Sequence, residues 1–411
     1  MDNHLKILWL KTGLLHPLDT GGKLRTFNML KVLNRRHKIT YLALSLPDTS
    51  EESIKKASEY SSSQILIPFS EAKKRSLNFY CELFLNLFSK YPYAVGKYKS
   101  DLMTDAIAEQ ESDFDIVVCD FLAPSINWIR ATKQPSKSLL FQHNVEALIW
   151  KRLAENSNNY FTHLYFKSQW QRMRNFEKNV SARFGGVVGV SDEDCRIMRE
   201  EYGLKNVFGS VPTGVDVEYF KPDGRAPEQG FILFLGSMDW MPNIDAVQYF
   251  VSSIYPIIKR KYPSAKFVIV GRNPTKSVKE LVDNDKSVIV TGTVDDVRPY
   301  LKKASVMVVP LRVGGGTRIK IYEAMAAGVP VVSTSVGAEG LAVENNKHIL
   351  IGDSPDDFAD KTIRILNDEL PELSSNARRL VEENFSWEKV TDLFEKYCET
   401  IIQKNINGSL K

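Results

Sequence analysis

Residues 306–333 read as an apolar run, a glycine loop, a helical pattern, one more glycine and a second apolar run. Val306 to Leu311 has strand composition, and three glycines from Gly314 follow it. The helical pattern ends at Gly328, and Val329 to Ser333 resumes as strand. Two strands joined through a helix pair in parallel. A chain that repeats this alternation builds parallel sheets with helices on both faces.

The alternation runs through the whole chain. Candidate strands lie at 6–10, 39–44, 64–67, 116–119, 138–141 and 186–190. Helical patterns lie near 22–36, 71–89, 98–110, 145–155 and 158–183. A second series of strands starts at 231–235 and continues at 267–270, 287–290, 306–309, 330–333 and 349–351. Two series predict an α/β protein made of two Rossmann-like, doubly wound parallel-sheet domains. The join falls in the turn-rich stretch from Pro212 to Pro227, which gives domains at 1–211 and 212–385. From Ser386 the pattern is helical, with Trp387, Val390, Phe394 and Tyr397 on one face.

With 411 residues and 43% hydrophobic content, the chain can bury large cores without a disulfide or metal staple. A net charge of +4 is too weak to argue for nucleic acid, but it suits anionic substrates or an anionic membrane face. Cys81, Cys119, Cys195 and Cys398 are scattered, which reads as reduced thiols and not as metal ligands. The N-terminus runs straight into a strand and is not read as a signal peptide. The expected location is cytoplasmic, with peripheral contact to the inner membrane as a further expectation.

The 306–333 stretch also assembles an anion site. Glycines let backbone N–H groups approach a phosphate, and the helix start adds partial positive charge. Arg318 and Lys320 bring full charges, Arg318 with a planar fork suited to phosphate oxygens. Glu323 lies one turn beyond Lys320. Phosphate would repel it, so sugar hydroxyls are its expected partners. A nucleoside diphosphate offers both groups. A purely steric turn with solvated cations is the plain alternative. The ordered set Gly315, Gly316, Thr317, Arg318, Lys320, Glu323 favours the phosphate.

Glu323-Ala324-Met325-Ala326-Ala327-Gly328-Val329-Pro330-Val331-Val332 resembles the signature of the retaining glycosyltransferases of family 4, which have the GT-B fold. The preceding Gly314-Gly315-Gly316-Thr317-Arg318 with Lys320 is similar to a bacterial branch linked to polysaccharide and exopolysaccharide assembly. Thr213-Gly214-Val215-Asp216 and Phe220 with Pro222 resemble the family's interdomain segment. The resemblance implies an acceptor-side N-terminal domain and a donor-side C-terminal domain facing a cleft. It implies that the last helix, 386–411, crosses back to pack on the N-terminal domain. It further implies transfer of a sugar from a nucleoside-diphosphate sugar to a glycan, lipid-linked or small-molecule acceptor, with retained configuration. The sugar nucleotide is then a co-substrate, with no other cofactor and no metal. Gly315 stands where the family has its first Glu, so a backbone N–H at Gly315 or Gly316 is the substitute donor-sugar contact.

Further positions follow from the same resemblance. The loop from Pro17 to Arg25 is by itself a plain turn opening a helix. The family's Gly-Gly loop places Gly21 and Gly22 at the donor diphosphate, with Lys23 and Arg25 as weaker candidates, and Asp19 lines the cleft. His143 ends a strand, where ligands of open α/β sheets bind. The family's His at this place implies a hydrogen bond to the donor sugar or a role in register. The catalytic candidates are therefore His143, Arg318 and Lys320. Asn144 is expected to cap the next helix. Glu146 stays open between a helix-dipole partner and an acceptor-side group. In the 236–245 loop, Ser237 and Pro242 replace the family's Arg and Lys, so Arg318 and Lys320 become the relocated cations. Asp239 and Trp240 line the cleft, or Trp240 packs while Asn243 caps a helix. Gly292 and Val294 match a segment whose backbone meets the nucleotide base.

Two stretches keep paired readings. Phe79–Phe88 with Tyr91-Pro92-Tyr93 is either core or a seat for a lipid carrier, and Lys73-Lys74-Arg75 is either a solvated helix start or a contact with a charged membrane. The competing functions are a sugar-nucleotide epimerase, needing carboxylates such as Asp19, Asp239 or Glu146, and a non-catalytic sugar-nucleotide binder.

Overall fold

The computed structural model describes residues 4–73, 75–155, 157, 159–313 and 319–409. The chain divides into two compact units, Met1–Pro212 with Val390–Lys411, and Thr213–Lys389. In the first, β1 (Lys6–Lys11), β2 (Lys38–Ser45), β3 (Ser63–Pro68), β4 (Ile116–Asp120), β5 (Ser138–Phe141), β6 (Gly186–Gly189) and β7 (Val207–Ser210) form a sheet in the order β3-β2-β1-β4-β5-β6-β7. Every pairing is parallel. In the second, β8 (Phe231–Leu235), β9 (Lys266–Val270), β10 (Val288–Gly292), β11 (Val306–Val309), β12 (Val331–Ser333) and β13 (Leu350–Ile351) run β10-β9-β8-β11-β12-β13, again all parallel. The inner strands are apolar throughout because helices cover both faces: Ile7 to Leu10, Val117 to Cys119 and Ile232 to Phe234 are buried.

The winding reverses once in each sheet, at β1/β4 and at β8/β11. Where strand order reverses, the loops beyond the carboxyl ends splay apart and leave a crevice. The first unit is closed by the helix Trp387–Ser409 from Val390 onward. Its Phe394 ring lies 5.6 Å from Trp9 and 5.2 Å from Phe141, and Asp392 and Glu395 pair with Arg36 at 2.6 and 2.8 Å.

Three details depart from the sequence reading. β7 was not among the candidate strands; it is an edge strand with only Val207 buried, so it carries no apolar run. The helix expected over 71–89 spans only Leu77–Asn86. Arg75 has φ +67°, outside the right-handed region, and the Ser76 hydroxyl caps the first turn by accepting from Phe79 N. Nor is most of Phe79–Phe88 core, because Tyr80, Phe84, Leu85 and Phe88 are exposed, whereas Tyr91 packs against the core. The turn-rich join belongs to the second unit. Phe220 packs on that core, Asp223 pairs with Lys302 at 3.0 Å, and Pro222 sits over Gly328, whose φ of +74° a glycine adopts without strain.

At the β8 and β9 ends the backbones nearly touch. A Cβ on Gly271 would fall 1.7 Å from the Gly236 carbonyl oxygen. Gly271→Ala should therefore cost about 1–3 kcal/mol in chemical denaturation, the usual range for overpacking. Gly21→Ala, where a Cβ meets nothing within 4 Å, should leave stability nearly unchanged.

Candidate functional site

In the first unit the β1/β4 reversal gathers buried charge. Asp120, the last residue of β4, is fully buried. Its Oδ2 accepts from Lys11 Nζ at 2.6 Å, Thr26 Oγ1 at 2.7 Å and Trp9 Nε1 at 3.1 Å. Its Oδ1 lies 2.7 Å from His143 Nε2, although the ring N–H is poorly aligned for a hydrogen bond. Burial alone would raise the Asp120 carboxyl, but the Lys11 ammonium outweighs it and holds the group well below the usual carboxylate range. Burial lowers the Lys11 ammonium against the pull of Asp120. It lowers His143 to about 3, with Asp120 opposing, so the imidazole is neutral at physiological pH.

Phe121 completes this cluster. Its ring stacks on His143 at 3.7 Å, and Lys11 Nζ stands 4.1 Å from its centroid. Its φ is +73°, a conformation that costs a bulky residue about 1–3 kcal/mol and needs surrounding contacts to hold it. A Cβ on Gly22 would come within 2.7 Å of that ring, so this glycine has a steric duty. Gly21 opens the helix Gly21–Arg36 with free space beside it, and Thr20 caps that helix by accepting from Lys23 N. Asp19 pairs with Lys23 at 2.9 Å. Arg25 is buried, its guanidinium lowered by burial to about 10, and its Nε has no hydrogen-bond partner among the described residues.

A cavity of about 750 Å³ opens beside the cluster, lined among others by Lys11, His16, Gly22, Lys97, Phe121 and Glu146. Glu146 begins the helix Glu146–Glu155, and Glu177 lies on the helix Tyr160–Ser181. Glu177 accepts from Gln142 Nε2 at 2.7 Å, Glu146 N at 2.8 Å, Tyr202 OH at 2.7 Å and Ala147 N at 3.2 Å. The capping expected of Asn144 is thus carried by Glu177. Burial pushes both carboxyls up to about 7, and the Glu177 charge adds to the rise at Glu146.

In the second unit the β8/β11 reversal holds Lys320, near the start of the helix Ile319–Ala326. Its Nζ donates to the Leu235 carbonyl at the end of β8, at 2.9 Å, and to Asn243 Oδ1 at 3.2 Å, and it lies 4.3 Å from the Phe234 ring centroid. Glu323, one turn on, is raised by burial to about 7, with Lys320 opposing. Asn243 does not cap the helix Met241–Tyr249. Trp240 is the cap residue, and the buried Asn243 braces the loop by donating to the Ser237 carbonyl at 3.0 Å. Hydrogen bonds from Asn273 and Ser237 lower the Asp239 carboxyl, so it is ionised at neutral pH and unsuited as an acid. Trp240 is partly exposed, Gly292 ends β10 at φ +76°, and Val294 packs on the core. Gly314, Gly315, Gly316, Thr317 and Arg318 lie outside the described residues.

The structure therefore brings His143, Gly22 and Glu146 together in one unit and ties Lys320 to the 236–245 loop in the other. Sequence reasoning passed over Lys11, Asp120 and Phe121, although a charge closing an apolar run, as at β1 and β4, was a usable signal. It also passed over Arg272, an exposed cation after β9 whose Nε donates to Ser237 Oγ at 2.8 Å.

Two titrations test these environments. The His143 ring resonances should show no protonation step between pH 5 and 8 by NMR. Glu146 binds its proton more tightly in the folded state, so its stabilising contribution is lost as pH rises from about 4.5 to about 7. The melting temperature of Glu146→Gln should accordingly gain on wild type across that window.

Residues 229–368 match the family model described as Glycosyl transferases group 1. Over 396 residues the chain is 22% identical to an uncharacterized 44.6 kDa protein in the cps region of Klebsiella pneumoniae, covering 94% of this chain and 97% of that one. It is 28% identical over 230 residues to the phosphatidyl-myo-inositol mannosyltransferase of Mycobacterium tuberculosis, a match to 53% of this chain and 60% of the relative. The crystal structure of a glycosyltransferase from Rickettsia africae is similar with a TM-score of 0.65 at 16% identity, over 97% of this chain and 99% of that one. The chain has the GT-B fold, and its second unit carries a group 1 glycosyltransferase domain.

Proposed function

We propose that the protein is a retaining glycosyltransferase of family 4. It moves a sugar from a nucleoside-diphosphate sugar to a glycan, lipid-linked or small-molecule acceptor without a metal ion. The observation that carries this reading is the position of Lys320. Its ammonium stands at the carboxyl end of β8, at the strand-order reversal, with Glu323 one turn further on. That edge is where a sheet of this kind receives a phosphate-bearing ligand.

As the glycosidic bond breaks, negative charge grows on the leaving phosphate. Lys320, Arg318 and backbone N–H groups of the glycine loop stabilise that charge where it develops. Losing one such donor costs about 2.7–4 kcal/mol of barrier, by analogy with oxyanion sites. Arg272 supplies a further cation beside the Ser237 loop, which lacks one of its own. Glu323 accepts from sugar hydroxyls. The acceptor oxygen attacks from the face the leaving phosphate occupies, and that phosphate takes the acceptor's proton. Such a route retains configuration and asks for no protein nucleophile. His143, neutral and held by Asp120 and Phe121, acts through hydrogen bonding and not through charge.

One observation favours a second reading. Glu146 titrates near neutrality inside a cavity, which suits acid–base work on a sugar nucleotide and hence an epimerase.

Thermal stabilisation by UDP, GDP, ADP and dTDP tests the donor site. A nucleotide at a hundred times its dissociation constant should add about 2.7 kcal/mol. One of them should stabilise wild type, and Arg318→Ala and Arg272→Ala should weaken the shift. If none does, the diphosphate site is refuted. Product NMR with EDTA present should then show the donor's anomeric configuration in a new glycoside. Conversion of the sugar nucleotide without any acceptor would instead establish the epimerase.

A further inference from the structure

The helix Leu77–Asn86 is inside out. A surface helix ordinarily buries its apolar stripe and shows its polar face to water. Here the only buried residue of the helix is Asn86. Asn86 is clamped: its Nδ2 donates to the Tyr91 carbonyl at 3.1 Å, and its Oδ1 accepts from Gln169 Nε2 at 3.0 Å. Arg172 adds donors to the Asn86 and Leu87 carbonyls. Leu77, Phe84 and Phe88 are meanwhile 79%, 60% and 80% exposed. The end of the helix is fastened by polar groups while its large apolar side chains face out.

The helix Tyr160–Ser181, which holds Asn86 and Leu87 through Gln169 and Arg172, also shows apolar side chains to water. Phe161 and Leu164 are exposed there. With Ser168 and Arg172 they recur at the spacing of one helical face, and Arg172 is the residue that clasps Leu87. Large exposed apolar side chains grouped on neighbouring helices mark an interaction surface.

The charge around the patch says what it meets. Residues 70–100 hold six lysines and arginines against two glutamates, an excess of four that equals the net charge of the whole chain. Both glutamates are engaged: Glu71 pairs with Lys97, and Glu82 accepts from Tyr93 OH at 3.0 Å. Lys73 and Arg75 precede the helix and Lys90 follows it. Exposed aromatic and leucine side chains flanked by basic residues form the chemistry of a helix lying in a membrane interface. There the rings enter the acyl boundary and the cations meet anionic headgroups. Ten residues are too few to span a bilayer.

We infer that the Leu77–Asn86 helix, with the start of the Tyr160–Ser181 helix, docks this protein on an anionic lipid bilayer. This surface does not depend on the sugar-transfer reading. It does adjoin the first unit's cavity. Tyr93, whose ring lies 6.0 Å from Phe79, is followed by Ala94, Lys97 and Tyr98, all of which line that cavity.

Vesicle flotation of the full chain tests the inference. Wild type should float with vesicles of phosphatidylglycerol and phosphatidylcholine, and bind pure phosphatidylcholine vesicles roughly tenfold or more weakly. Added salt at about 0.5 M should release much of it. Phe84→Ser combined with Phe88→Ser, and separately Lys73→Ala with Arg75→Ala, should each cut binding roughly tenfold with unchanged melting temperature. The side chains are exposed, so folding should not suffer. Failure of wild type to float would overturn the inference, as would equal flotation of all the variants. So would a dimer in sedimentation that the phenylalanine variant dissolves, since the patch would then belong to a second copy.

Discussion

A parallel sheet covered on both faces has nowhere to put a charge except along its ends. Backbone groups are used up in the ladder, and side chains on either face meet apolar helices. Polar chemistry therefore collects at the carboxyl edge, and most of all where the winding reverses and loops part. Both sheets of this protein obey that constraint. Lys11 and Asp120 close β1 and β4, and Lys320 reaches the last carbonyl of β8. Everything proposed about donor and acceptor chemistry rests on these two reversals.

The Asp120 cluster shows how such an edge tolerates a buried ion. An unpaired carboxylate there would carry a desolvation penalty of several kcal/mol. Three donors converge on Oδ2 and His143 stands at Oδ1, so the charge is retained. The same cluster fixes the state of His143. Burial strips its proton, and Asp120 and the Phe121 stack hold its position. The strained backbone of Phe121 persists because Gly22 leaves room for the ring. A glycine that looked like a phosphate contact is thus also the clearance for an aromatic side chain.

Much of the fold was legible because apolar runs of strand length report two-sided burial directly. The strands near 116–119, 138–141, 231–235 and 306–309 needed nothing more. β7 was illegible because an edge strand with one buried residue leaves no such trace. The Leu77 helix misled in the opposite sense. Its composition says core, since sequence cannot tell an apolar face turned inward from one turned out. The outward turn follows from where Gln169 and Arg172 seize Asn86.

The site divides along the same line. Short-range order in the chain determined the Lys320–Glu323 spacing on one helix and the placing of His143 after a strand, because each is a matter of neighbours along a strand or helix. The tertiary structure alone decided that Lys11 meets Asp120 across 109 residues, that Glu177 satisfies the amides of Glu146 and Ala147, and that Lys320 bonds to Leu235. Such contacts depend on strand order and on which groups lose their water. Those are properties of the packed sheet, and no local stretch of residues encodes them.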